Sequence, residues 1–221
     1  MTKKYDVIIV GGSPVGVFAA LELAQTADLD IQLIEKGRDI DERQCPSRDQ
    51  GKPCISCSPC HLVCGLGGAG VWSDGKLTLS SQVGGRPADY VGESNTEDLI
   101  KYVDDKYLKS GAPDKLYGVG DKVDRLRRQA SLTELRLTPV PIRHLGTEHC
   151  RSVLKAIKDY LAPRLDFKLG AMAASVITDN GDVKGIKTES GEEFNCNCLN
   201  LAPGRGGADR FQCYPDKTIA R

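Results

Sequence analysis

Cys54, Cys57, Cys60 and Cys64 form a C-x2-C-x2-C-x3-C run. That spacing matches the run that holds iron–sulfur clusters in bacterial ferredoxins, with Gly65 where proline is usual. Short gaps let successive thiolates curl around one face of a cluster. A single cluster would take Cys54, Cys57 and Cys60 plus a fourth ligand, from Cys64 or Cys45. Zinc also accepts four thiolates on a loop. A reversible disulfide that passes electrons by thiolate attack is a third chemistry for the same residues. Free thiols packed in a loop over a cofactor are the fourth reading. His61 reads as a loop residue rather than a ligand.

Directly after these cysteines comes the glycine-rich stretch "GLGGAGVWSDGK", Gly65 to Lys76. Backbone without side chains can approach a ligand closely and aim N–H groups at it. The competing reading is an exposed loop closed by an Asp74–Gly75 turn.

The elements that must position this block lie in front of it. "YDVIIV" is a β-branched apolar run of the kind that forms a buried parallel strand. It runs into "GGSPVG", then into a stretch with Val17, Ala20, Leu21 and Ala24 at helical spacing, and then into a second apolar strand ending at Glu35. Strand, glycine turn, helix, strand and acid within about thirty residues make a βαβ dinucleotide unit. Gly11 permits the tight turn and Gly16 the close helix–sheet packing. The helix N-terminus faces a pyrophosphate, and Glu35 accepts hydrogen bonds from ribose hydroxyls. Ser13 stands where the second glycine is usual, so a Cβ and a hydroxyl sit at the closest approach to phosphate. FAD and NAD both present an ADP half, and the motif alone does not separate them.

Further along, residues 81–147 lack βαβ rhythm. Ser94 and Glu97 read as a capping box and Gly111 as a helix stop. A second helix is expected from about Asp121 to Ala130, and "LTPVPIRHLGT" is expected to be extended. Arg143 and His144 are candidates to meet a substrate or a cofactor phosphate, or to be plain surface. The next helix, Glu148 to Leu161, places Cys150, Val153, Leu154, Ile157 and Leu161 on one face, with Thr147 as N-cap. Asn180–Gly181 and Ser190–Gly191 then mark the tight hairpins of an antiparallel meander. Cys196 and Cys198 fall on one strand face and read as packing; Cys213 has no assignment.

The bulk numbers narrow the classes. The chain has 221 residues, 30 basic and 30 acidic, and a formal net charge of zero. Nucleic acid and anionic membranes want a basic face, so neither is the expected partner. No run approaches the roughly 18 apolar residues of a membrane span, and "VIIV" is too short for a signal-peptide core. The expectation is a cytoplasmic protein, in which nine cysteines favour redox or metal roles over structural disulfides.

"DVIIVGGSPVG", "IQLIEKG", the meander and "LAPG" together resemble the FAD-binding domain of two-dinucleotide-fold flavoproteins. "CGLGGAGVWSDGKLTLSSQVGG", "YVDDKYLKSGAP" and "PIRHLGTEHCRSVLKAIKDYL" resemble a poorly characterised FAD-dependent dehydrogenase family of bacteria and archaea. The resemblance runs from about Tyr5 to Asp209. It implies an α/β Rossmann-like FAD-binding domain with a parallel sheet, a small antiparallel β-meander and a partly helical insertion. It implies FAD as cofactor, an oxidoreductase activity, and a small-molecule substrate or electron carrier as partner. Gly11, Ser13 and Gly16 would sit on the FAD pyrophosphate and Glu35 on the adenosine ribose. Gly67, Gly68, Ala69, Gly70 and Ser73 would form a second loop beside the cofactor, and Ala202, Pro203 and Gly204 would lie near it. No catalytic acid or base is assigned; His144 and Lys76 are the polar candidates. The expected organisation is a βαβ unit with its Cys/Gly loop (1–80), an insertion (81–147), a return to the FAD-binding domain (148–209) and an irregular tail (210–221). Family members continue well past "LAPG", so a C-terminally truncated chain is expected.

Overall fold

The computed structural model describes residues 3–204 and 207. Asp209, Cys213 and the expected tail 210–221 lie outside the described residues. In chain order the elements are β1 (Lys4–Val10), α1 (Pro14–Thr26), β2 (Ile31–Glu35), α2 (Pro46–Gln50), β3 (Lys76–Thr78), α3 (Ala88–Val91) and α4 (Glu93–Lys109). They continue with β4 (Leu116–Tyr117), α5 (Asp121–Ser131), β5 (Ile142–His144), α6 (Thr147–Leu161), β6 (Asp166–Leu169), β7 (Ala173–Asp179), β8 (Asp182–Thr188) and β9 (Glu193–Leu201). Single 3₁₀ turns cover Ile40–Glu42 and Gly68–Trp72. The chain divides into two compact units, residues 1–71 with 157–221, and residues 72–156.

The first unit is built on a six-stranded sheet in the order β6-β2-β1-β9-β8-β7. β6, β2, β1 and β9 run parallel, while β7, β8 and β9 pair antiparallel. The mixed α/β fold expected from the sequence is therefore the fold observed. The apolar run of β1 is buried because it is central: Ile8 and Ile9 are fully covered, as are Leu33 on β2 and Ala20 on α1. Each large aliphatic side chain so buried contributes roughly 1.5–3 kcal/mol. Asn180 and Gly181 both take positive φ between Asp179 and Asp182, which gives β7 and β8 a two-residue hairpin. Ser190–Gly191 closes the next one, with Thr188 N–H donating to Glu192 O at 2.9 Å.

The second unit holds a three-stranded antiparallel sheet, β3-β5-β4, with α3, α4 and α5. Arg143 on β5 is buried at 3 % exposure and forks onto Asp104, with Nη2 donating to Oδ2 at 2.8 Å, while Nη1 donates to Pro113 O. Its ion pair keeps Arg143 above its ordinary range, and its place is inside the unit's framework rather than on a surface.

Two cap assignments change. α4 starts at Glu93, with Gly92 as cap at φ 82°, so Ser94 lies within the helix and makes no capping box. A left-handed glycine supplies the entry there. α6 begins at Thr147, and Gly146 O accepts the His149 and Cys150 N–H groups, so Thr147 is in the first turn rather than at the cap. Among the described residues no helix is long and apolar enough to cross a membrane.

Candidate functional site

The site is assembled from backbone. Gly11 leaves β1 at φ +108° and donates to Ile34 O at 2.8 Å. A Cβ there would stand 2.2 Å from Ala202 O, and one on Gly16 would stand 1.8 Å from Gly11 O. Both glycines are required by the close meeting of β1, α1 and the end of β9. Ser13 caps α1 in extended backbone without using its side chain, and Pro14 follows at the first helical position.

The glycine-rich loop is zipped onto this turn. Gly67 N–H donates to Gly12 O at 2.7 Å and Leu66 N–H to Arg38 O at 3.1 Å. Gly68, at φ +58°, comes so near the turn that a Cβ on it would touch Ser13 and Pro14 at 3.5 Å. The two loops thereby share one cleft of ≈ 390 Å³, lined among others by Gly11, Ser13, Glu35, Gly68, Ala69 and Gly204. Ala202, Pro203 and Cys64 also reach it.

Two buried charged side chains hold the loop in place. Glu35, at 7 % exposure, accepts Gly12 N–H on Oε2 at 2.7 Å, and Gly37 and Gly65 N–H on Oε1 at 2.9 Å each. The three donors are glycines. A Cβ on Gly37 would stand 2.2 Å from Gly65 N, which shows how tightly the backbones converge on the carboxylate. Arg43, at 2 % exposure, donates to four carbonyls of the same loop: His61, Leu62, Leu66 and Gly68, at 2.8–3.0 Å. Burial pulls its pKa below the ordinary range, and the Glu35 carboxylate opposes that shift. Sequence reasoning missed Arg43, Gly12, Gly37 and Gly65. A lone arginine eight residues past Glu35 carries no pattern; its role exists only once the loop has folded over it.

The remaining expected residues divide. Gly16 lies behind the turn, Gly67 is spent on Gly12, and Gly70 belongs to the 3₁₀ turn Gly68–Trp72. Ser73 falls in the second unit, where its Oγ accepts Gly75 N–H at 2.9 Å. His144 and Lys76 are opposite one another on β5 and β3 of that unit. Lys76 pairs with Asp74 at 2.7 Å, and the His144 ring meets Tyr117 edge-on at 5.9 Å.

The cysteine run is not gathered into a ligand shell. Among the described residues no group of three or more His, Cys, Asp or Glu is arranged to hold a metal ion. Cys54 is exposed and its Sγ accepts Ser56 N–H at 3.4 Å; Cys57 and Cys60 are partly covered; Cys64 lines the cleft. Cys45 is buried, its N–H held by Asp49. The iron–sulfur or zinc expectation for Cys54, Cys57, Cys60 and Cys64 is thus unsupported by the geometry. The physical reason is the backbone after Cys60: Arg43 takes its carbonyls, Glu35 takes Gly65 N–H, and Cys64 N–H closes a turn on Cys60 O at 2.8 Å. That chain path brings Val63, Cys64 and Gly65 to the cleft wall. His61 stays a loop residue, with Nδ1 2.7 Å from Gln44 O.

Solved structures share this architecture. Glycine oxidase from Geobacillus kaustophilus superposes with a TM-score of 0.55 at 15% identity, over 95% of this chain and 58% of that one. Fructosamine oxidase (Amadoriase II) from Aspergillus fumigatus gives 0.55 at 16%, over 94% and 50%. The 3-ketosteroid-Δ4-(5α)-dehydrogenase from Rhodococcus jostii gives 0.54 at 18%, over 90% and 45%. The chain has the fold of these oxidoreductases. It spans about half the length of each. No family model matches it. An uncharacterized protein of Clostridium beijerinckii is 26% identical over 207 residues, which are 93% of this chain and 32% of that protein.

Proposed function

We propose that the chain is the FAD-binding part of an FAD-dependent oxidoreductase, with the cleft between the β1–α1 turn and the 65–69 loop as the seat of the dinucleotide. The observation that carries the reading is that single cleft, walled by two glycine loops clamped to each other through Gly12 and Gly67. The likeness in fold to a glycine oxidase, a fructosamine oxidase and a 3-ketosteroid dehydrogenase supports it.

The residues present fit such a ligand. Pro14 has no N–H, so Val15 and Gly16 provide the first donors of α1, at the helix end whose partial positive charge favours a diphosphate. Gly11, Ser13, Gly68, Ala69 and Gly204 let the wall come close, and Lys36 adds a cation at the rim. Glu35 already accepts three backbone N–H groups of the roughly four a carboxylate can take. It therefore offers a ribose one acceptor position rather than a bidentate grip. Bound FAD supplies the hydride or electron chemistry that side chains lack; the chain's own part is to hold and orient the dinucleotide.

Titration of flavin-free protein with FAD, read by flavin fluorescence, tests this. The expected result is saturable quenching that ADP reverses and that Gly16→Ala abolishes. Binding of NAD but not FAD would replace the reading with a nicotinamide-binding one. Bound iron with broad brown absorbance and no flavin would favour an electron-transfer module.

A further inference from the structure

Cys60 and Cys64 share one turn. Val63 N–H and Cys64 N–H both donate to Cys60 O, at 3.2 and 2.8 Å, so the segment closes a single helical turn with the two cysteines four residues apart. Side chains at that spacing lie on one face. Both thiols are partly covered, and Cys64 opens onto the cleft. Burial pulls the Arg43 pKa down; opposing it, after Glu35, are Cys64 and then Cys60, so the buried guanidinium is within electrostatic reach of both sulfurs. Thiol–disulfide exchange proceeds through a thiolate, and its negative charge would face that fixed cation.

The turn is also part of the cleft wall. Arg43 holds the carbonyls of His61 and Leu62 within it, Glu35 holds Gly65 N–H just after it, and Val63, Cys64 and Gly65 line the cleft. Four residues of helix separate two Cα atoms by about 6 Å, inside the range a disulfide spans. The Cβ atoms of such a pair stand about 5–6 Å apart, whereas a disulfide wants about 3.5–4.5 Å. Joining the two sulfurs therefore draws the turn in by about 1–2 Å, against the two side chains that bracket it.

We infer that Cys60 and Cys64 form a thiol–disulfide exchange site for low-molecular-weight disulfides, and that closing it remodels the cleft wall and weakens what binds there. The Cys64 thiolate attacks one sulfur of RS–SR, forming a mixed disulfide and releasing RS⁻. The Cys60 thiolate then attacks Cys64 Sγ and displaces the second RS⁻. Two protein thiols are oxidised and one disulfide is reduced, and the two thiol protons pass to the released thiolates. Coupling between two sites is reciprocal, so a ligand that fits the open wall holds the pair reduced. Only the identity of that ligand rests on the dinucleotide reading of the cleft.

Equilibration of the full chain with oxidised or reduced glutathione, then desalting, alkylation and mass mapping, tests it. Oxidised wild type is expected to give a peptide lighter by two hydrogens, with Cys60 and Cys64 joined. Cys60→Ser should trap one glutathione on Cys64, the intermediate of the exchange. Hydrogen exchange without any ligand should show the amides of residues 61–65 faster by about tenfold or more after oxidation, and within about twofold in oxidant-treated Cys64→Ser. FAD affinity of the wild type should fall by about fivefold or more on oxidation. Absence of the Cys60–Cys64 bond, or pairing of Cys57 with Cys60 in its place, overturns the inference. So does a bond that leaves either the exchange of residues 61–65 or a measured FAD affinity within about twofold of the reduced form. If neither form binds FAD, the dinucleotide reading fails, and mass mapping with hydrogen exchange still decides this one.

Discussion

Glu35 Oε1 accepts the Gly65 N–H at 2.9 Å, thirty residues away in sequence, and so pins the cysteine–glycine loop to the tip of β2. A position that the dinucleotide motif assigns to a ribose is, in this chain, also a bracket for its own backbone. With Arg43 taking the carbonyls of the same loop, an anion and a cation hold the two polarities of one peptide segment.

Glu35→Ala should therefore destabilise the fold, not only the ligand site. It leaves three buried N–H groups without an acceptor, each costing about 1–3 kcal/mol. Glu35→Gln keeps one acceptor oxygen but turns an amide donor toward a backbone donor, so a smaller loss of about 1–3 kcal/mol is expected. Urea unfolding of the two variants without any ligand checks this; a stability loss below about 0.5 kcal/mol for Glu35→Ala would contradict it.

Arg43→Met should loosen the loop selectively. Four carbonyls lose their donor, and amide exchange across residues 61–68 should speed up by at least tenfold while β1 amides change little. Hydrogen-exchange mass spectrometry reads both regions in one experiment. Arg43→Lys, with one compact ammonium, cannot span the four acceptors and should fall between.

Gly16→Ala and Gly68→Ala should part company. The first puts a Cβ 1.8 Å from Gly11 O, so α1 must shift; a loss of about 1–3 kcal/mol and failure of dinucleotide binding are expected. The second meets Ser13 and Pro14 at 3.5 Å, an ordinary contact, and bears only its left-handed φ, about 1–2 kcal/mol. Thermal unfolding with and without FAD separates the two.

The thiols should alkylate in order of cover. Burial pushes the Cys150 and Cys196 thiols above their ordinary range, and both are buried, whereas Cys54 is exposed and so is Cys198, which the strand pattern reads as packing. Iodoacetamide at neutral pH, followed by mass mapping, should label Cys54 and Cys198 first and Cys150 and Cys196 only on unfolding.

Acid should weaken one end of the sheet. Lys3 and Tyr5, both donating to Asp166, hold its carboxyl below the ordinary aspartate range. A folded value below the unfolded one means that the contribution is present above about pH 4 and fades as pH falls through the folded value. Asp166→Asn should flatten that part of the stability–pH curve. The effect is small and shrinks in salt, because Lys3 and Asp166 are half exposed.

The sequence by itself determined β1, β2 and the strands of the meander, the Gly11–Gly16 turn, the hairpin at Asn180–Gly181 and the apolar face of α6, but not β3 and β4. These are local: a φ that only glycine accepts easily, a β-branched run, a 3.6-residue stripe, each readable within a few neighbours. What the tertiary structure decided was the use of the loop after Cys45. Its spacing fits a cluster as well as it fits a cleft wall, and spacing cannot say which way a backbone turns. Its path is fixed by Glu35 and Arg43, whose charges, once buried, must be met by whatever N–H and C=O groups lie within reach. Those groups belong to glycines and carbonyls that carry no side-chain signature, which is why the sequence is silent about them.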